Sequence, residues 1–398
     1  MTTAVRSGSA KMSKTALKPV WYDQWLLILT LALIVIGFVM VSSASMPYAD
    51  SETYQYNPYH FILRHGIYIG LALVFAFATM IVPMDFWLKA GPYLLLSALL
   101  LLVLVIFIGR EVNGSRRWLD LGLFTIQVSE PAKVFVVSYL AGYLVRRREE
   151  LVTQIKGFLN PLIVLSLVTG ALLLEPDFGA SAVIVITCLA MMFLAGARLW
   201  QFLVLSGSMA FLLGLIATTQ PYRLQRLQSF LDPWQDPFGT GYQLTQSLIA
   251  FGRGDVWGLG LGNSIQKLSY LPEAHTDFVF AVLAEELGFV GVLVVLVLYS
   301  MLLMRIMGIG RRAVDAGQLF SGYMAWGLGI TMTLQAVINI GVNSGVLPTK
   351  GLTLPLISYG GSSLIISCVA IAIILRVDYE TRVKRYFDDG IIPGSAKS

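Results

Sequence analysis

Asp277, Glu285 and Glu286 stand within the stretch PEAHTDFVFAVLAEELGF, at the start of a long apolar run. An ionisable group in or beside a spanning helix costs several kcal/mol unless it faces a polar cavity, which makes it a functional candidate by default. Cations recur at comparable apolar edges: Arg110, Arg116 and Arg117 around GSRRWLDLG, Lys133 in VSEPAK, Arg223 and Arg226, and Lys350 in NSGVLPTKGLTLP. Arginine binds phosphate through a planar, permanently charged fork. A carboxylate facing phosphate would repel it, so Asp277 is better matched to a hydroxyl whose proton must leave. That is general-base work, worth about 10²–10⁴-fold in rate.

The elements that must position these groups are membrane spans. The chain of 398 residues is 56% apolar and 13% charged, with a mean hydropathy of +0.74. Apolar runs of about 17–25 residues predict an all-α polytopic membrane protein of roughly ten spans. They lie near 24–45, 61–82, 91–109, 130–145, 159–175, 178–195, 199–219, 278–304, 318–342 and 357–375. With both termini cytoplasmic, 18 of the 28 Lys and Arg fall inside and ten outside, although the longest loop is outside, as the positive-inside rule requires. The net charge of +5 therefore reports topology and carries no nucleic-acid footprint. Residues 1–20 read as a disordered tail, 21–377 as one membrane domain, 220–277 as a large periplasmic loop between spans seven and eight, and 378–398 as a cytoplasmic tail. Within the loop, TGYQLTQSLIAFGRG has helical apolar spacing and suits a short helix on or in the membrane surface.

This topology gathers Arg116, Arg117, Glu130, Lys133, Glu175, Arg223, Asp277 and Lys350 at the outer face, with Asp177, Arg110 and Glu273 beside them. Each alone has a plain structural role. A basic side chain at a span end snorkels to headgroups. Glu130 and Lys133, three residues apart at a helix start, pair with each other. Glu285 and Glu286, about 12 Å further along a continuous helix at 1.5 Å per residue, hold helices together, as Glu130 and Glu175 do at their own span ends. Collectively, several cations around one carboxylate read as a cavity for an anionic lipid headgroup. GLGLGN at 258–263 follows no strand and reads as loop glycine, and His60, His65 and His275 have no partner at metal-ligand spacing. Cys188 and Cys368 both fall inside spans and suggest neither a disulfide nor a metal site.

The motifs GSRRWLDLG, VSEPAK, EPDFG, PEAHTDFVFAVLAEELG and NSGVLPTKGLTLPLISYGGSS, in this order, resemble the SEDS family of shape, elongation, division and sporulation proteins. Leu347-Pro348-Thr349-Lys350-Gly351 followed by LTLP is most similar to the branch acting in division. The resemblance implies a peptidoglycan glycosyltransferase of the inner membrane at the septum. It would polymerise lipid II, an undecaprenyl-diphosphate disaccharide pentapeptide, into β-1,4 glycan. It implies that Asp277 activates the acceptor's GlcNAc 4-hydroxyl for attack on the muramyl anomeric carbon of the growing chain. Arg116, Arg117, Lys133, Arg223 and Lys350 would hold substrate and stabilise the departing diphosphate, a task that a divalent cation such as Mg2+ or Mn2+ could share; no metal-ligating residues are assigned. The implied partners are an FtsI-like class B penicillin-binding protein transpeptidase and other divisome proteins. Two rival readings are a lipid II flippase, which would need polar groups along a midplane path, and a non-catalytic divisome scaffold.

Overall fold

A computed structural model describes residues 22–49, 57–112, 115–120, 122, 125–198, 200, 201, 204, 207, 230–268, 270–348 and 351–388. Its helices are α1 (Gln24–Ala49), α2 (His60–Ile81), α3 (Met84–Ile108), α4 (Ser129–Arg146), α5 (Arg148–Thr153), α6 (Ile155–Leu174), α7 (Phe178–Leu194), α8 (Tyr242–Gly254), α9 (Val279–Asp315), α10 (Leu319–Asn343) and α11 (Gly361–Asp388). Seven of them, α1, α2, α3, α6, α9, α10 and α11, are long and apolar enough to cross a membrane, and α7 is a shorter apolar helix. This is a polytopic helical membrane protein. The expected span 199–219 lies almost entirely outside the described residues, as do the first tail and residues 389–398.

Two features depart from the all-helical expectation. Between α3 and α4 the chain forms an antiparallel sheet of β1 (Arg110–Val112), β2 (Ser115–Asp120) and β3 (Thr125–Gln127), in the order β1-β2-β3. Alternation of side chains along β2 sends Arg116 and Arg117 to opposite faces. The second departure is in α9, where Gly288 has φ 65° and ψ −165° and breaks the helix. Before the break Val279–Glu286 are buried; after it Phe289, Leu293 and Val294 are exposed. The membrane-facing part of α9 therefore begins near Phe289, and the continuous span expected from Phe278 is replaced by a short buried helix followed by a turn. The loop after α8 fills the turn. Phe289 and Val290 donate their N–H groups to Asp255 and Val256, and Leu259 and Gly260 donate to Glu285 and Glu286. A Cβ at Gly258 would stand 2.2 Å from the Glu286 carbonyl, and one at Gly288 2.3 Å from the Gly258 nitrogen, so this close approach requires glycine on both sides. That explains Gly258 of the GLGLGN run.

α8 is anchored to the bundle. Its apolar stripe has a protein partner: Leu244 and Ala250 are buried, Phe251 packs on Phe280, and Ser247 donates to the Asn343 carbonyl at 2.6 Å. At the other, basic end of the bundle, buried Asp23 receives Arg305 Nε on both oxygens at 2.9 Å and Arg382 at 3.4 Å, while Arg312 spans from Asp23 to Asp378. These pairs tie α1, α9 and α11 together and draw α11 beyond the expected end of its span, to Asp388.

Candidate active site

At the end of the bundle away from Asp23, a cavity of about 590 Å³ opens between α2, the sheet, α4, the loop before α9 and the segment before α11. Its charged lining is Arg64, Arg110, Arg117, Glu130, Glu273 and Asp277. Phe61, Tyr68, Trp118 and Tyr359 supply the aromatic wall.

Asp277 is held by its backbone, leaving its carboxylate to the cavity. Asn339 and Asn343 of α10 donate to its carbonyl at 2.8 and 2.9 Å. Asn343 Oδ1 accepts the N–H of Ala281 at 3.1 Å, in the first turn of α9, and Asn339 also donates to the Leu352 carbonyl. One turn earlier, Gln335 donates to the Thr353 carbonyl at 3.1 Å and accepts from Lys133. Gln335, Asn339 and Asn343 thus form a polar ladder at four-residue spacing on one face of α10, fixing the Asp277 loop and the 351–354 segment together. The carboxylate bonds to no described residue. A Cβ at Gly351 would stand 3.0 Å from its Oδ2, so the glycine leaves room there. Desolvation, reinforced by Glu273 and Asp177 and opposed by Arg117, pushes the Asp277 carboxyl up to about 7. That is the range a general base at neutral pH needs.

The sequence-designated residues divide into distinct groups. Arg117 lines the cavity; its Nε and Nη2 donate to the carbonyls of Glu175 and Pro176 at 3.0 and 2.6 Å. Arg116, on the opposite face of β2, is exposed, lies 3.5 Å from Glu111 and lines a separate recess with Leu174 and Pro176. Lys133 is buried and engaged within the protein, 2.9 Å from Glu130 and bonded to Gln335. Its ammonium supports α4 against α10, while Glu130 reaches the cavity wall. Arg223 and Lys350 lie outside the described residues, although Gly351, next to Lys350, lines the cavity. Glu175 is buried at 1% exposure, with neither oxygen hydrogen-bonded to a described residue. Desolvation and then Asp177, against Arg117, push its carboxyl up to about 8. Asp177 caps α7 by accepting the Ala180 N–H at 3.1 Å.

Glu285 and Glu286 belong to the buried segment before the break. Glu285 accepts from Ser264, from the N–H groups of Ile265 and Gln266, and from Arg253 at 3.0 Å. Glu286 pairs with Lys267 at 2.7 Å and accepts from Ser43, near the α1 end that faces the same side as Asp277. They brace the loop after α8 from the last turn before the Gly288 break, and the membrane-facing part of the helix starts beyond them. His275 packs at a tilt on Phe61, with ring centroids 4.7 Å apart, and its carbonyl accepts the Tyr359 N–H, docking the Asp277 loop on the segment before α11. Among the described residues no three His, Cys, Asp or Glu gather as metal ligands.

Arg64 and the α10 ladder were not singled out from the sequence. Arg64 was visible as an arginine just inside an apolar run, and the ladder as amides at four-residue spacing in LQAVINIGVN.

Fold and site define a multi-pass membrane protein with three carboxylates, Asp277 among them, and three arginines lining a cavity at one end of the bundle. The chain matches the cell cycle protein family of FtsW, RodA and SpoVE over residues 24–383. It belongs to this family, the SEDS family. It is 55% identical over 362 residues to a Coxiella burnetii protein, covering 90% of this chain and 97% of that one. It is 49% identical over 366 residues to an Escherichia coli O157:H7 protein, covering 92% and 88%. Both are named probable peptidoglycan glycosyltransferase FtsW. Among solved structures it is similar to a chain of a peptidoglycan synthase complex that coordinates polymerization and crosslinking, at TM-score 0.76 and 30% identity, covering 91% of this chain and 99% of that one. Thermus thermophilus rod shape determining protein RodA is similar at TM-score 0.66 and 30% identity, covering 90% and 98%.

Proposed function

We propose that the chain is a peptidoglycan glycosyltransferase that polymerises lipid II on the outer face of the cytoplasmic membrane, at the septum, with a class B penicillin-binding protein as cross-linking partner. The observation that carries this reading is the Asp277 carboxylate, held from behind by Asn339 and Asn343 and raised to about 7, facing a cavity that also holds Arg117.

The reaction balances at these groups. Ionised Asp277 takes the proton of the acceptor's GlcNAc 4-hydroxyl. That oxygen forms a bond to the muramyl anomeric carbon of the growing chain, and the bond from that carbon to the diphosphate oxygen breaks. Undecaprenyl diphosphate leaves with the electron pair, and the α-linked donor becomes a β-1,4 linkage by inversion. Arg117, already fixed by two backbone carbonyls, is a preorganised cation for the charge that develops on the leaving group.

A flippase would need a polar path through the middle of the bundle. There Thr187 and Thr331 bond to each other, and Thr331 to its own helix, amid Met191, Met192, Leu328 and Met332. The deciding experiment supplies lipid II to the purified chain with its partner and compares it with Asp277→Ala. Glycan polymer is expected only from the native chain. Polymer from Asp277→Ala at the native rate would overturn the base assignment, and lipid II crossing liposomes without polymer would favour the flippase.

A further inference from the structure

The polymerase reading leaves open where two lipid diphosphates bind at once. A second cavity of about 270 Å³ adjoins the first, sharing Arg64, Tyr68, Arg110 and Thr125 with it and adding Ile67, Asp120 and Gly122. Asp277 and Arg117 line only the larger one. The arginines therefore fall into two places. Arg117 lines the larger cavity with Asp277, whereas Arg64 and Arg110 stand where the larger cavity passes into the smaller.

We propose that the Arg64–Arg110 cavity receives the diphosphate of the acceptor lipid, and that the Arg117 side receives that of the donor. The inference rests on the polymerase reading and follows from where the reacting atoms lie in each substrate. In the donor, the diphosphate is attached to the carbon under attack, so it must lie beside Asp277. In the acceptor, two sugar rings separate the diphosphate from the hydroxyl that Asp277 deprotonates, so its phosphates need cations set back from the carboxylate. Arg64, exposed in the first turns of α2, has no carboxylate partner among the described residues, so its planar guanidinium is open to an anion. Arg110 is only loosely held, 3.8 Å from Asp120 with both side chains largely exposed, a pair worth little. Asp120 is committed to its own turn, accepting the Gly122 N–H at 2.9 Å. The lipid chain also has a way out. Ile67, one turn from Arg64, and Leu63 beside it are each 62% exposed on α2, the least buried of the spanning helices.

The test uses two lipid II analogues in one coupling reaction with the full chain and its partner. One, capped at the GlcNAc 4-oxygen, can only donate. The other, with methylene replacing the oxygen between the anomeric carbon and phosphorus, can only accept. Arg64→Ala should raise the half-saturating concentration of the acceptor-only analogue about tenfold or more, as expected for loss of a charge-assisted contact, and leave that of the donor-only analogue within about twofold. Arg64→Lys should recover part of the loss, which a folding defect would not allow. A rise for the donor-only analogue, an equal rise for both, or no change in either would overturn the assignment. If the native chain forms no coupled product, the polymerase reading fails, and direct binding of the acceptor-only analogue in nanodiscs decides the site. About tenfold weaker binding by Arg64→Ala would uphold an anion site there, and equal binding would overturn it.

Discussion

Asn343 grips Asp277 by the backbone: its amide nitrogen donates to the Asp277 carbonyl at 2.9 Å, while its amide oxygen accepts the Ala281 N–H at 3.1 Å. One fully buried side chain on α10 thus sets both the loop carrying the carboxylate and the first turn of the helix behind it. It does not line the cavity itself, so it acts through Asp277 as a positioning residue. Asn343→Ala should lower kcat by about ten- to a hundredfold with little change in KM, because a displaced base loses rate before it loses binding. Stability should fall by about 1–3 kcal/mol from the groups left unpaired. An effect on KM alone would contradict the role.

Raised to about 7, the Asp277 carboxyl should appear as an acid limb in kcat/KM, which reports the free enzyme. The base works ionised, so activity should rise with pH through that value. Arg117 holds the carboxyl down and Glu273 pushes it up. Arg117→Ala should therefore move the limb to higher pH, and Glu273→Gln should move it to lower pH. Two shifts of the same sign would show that another group sets the limb.

Glu286 and Lys267 form a buried pair that also holds Ser43 of α1. Removing either partner strands the other without compensation, so Glu286→Gln or Lys267→Met should each cost about 3–5 kcal/mol. The double substitution should cost less than the sum, because it leaves no unpaired charge. Unfolding in mixed micelles measures all three, and strict additivity would mean that the two side chains act independently.

What the sequence made legible follows physical lines. Spans emerged because twenty apolar residues have few alternatives in a chain this hydrophobic, and Asp277 because its position is expensive. Gly288 looked ordinary, since a helix break shows only in its φ, and a glycine within an apolar run has many uses. Hence nothing in the sequence shows that the membrane-facing span starts only after Glu285 and Glu286, whose contacts with Ser264, Arg253 and Lys267 brace the loop after α8. The division between Arg116 and Arg117 depends on a strand of six residues, β2, too short and too polar to announce itself. Lys133 and Glu130 were legible as a pair from their three-residue spacing, but the contact of Lys133 with Gln335 joins positions 202 apart in sequence.

Glu175 tests how burial and charge combine beside the cavity. Its carboxyl is pushed from about 4.5 to about 8, by desolvation first and then by Asp177, with Arg117 only partly opposing. A carboxyl whose folded value lies above its unfolded one stabilises the fold while protonated, and that stabilisation is lost as pH rises from the unfolded value through the folded one. Glu175→Gln keeps the shape of the side chain and removes its ionisation. The variant should therefore melt above the native chain at pH 8 and higher, with the difference shrinking as the pH falls toward 4.5. Melting curves that run parallel across the whole range would show that Glu175 does not titrate on folding and that another acid accounts for alkaline destabilisation.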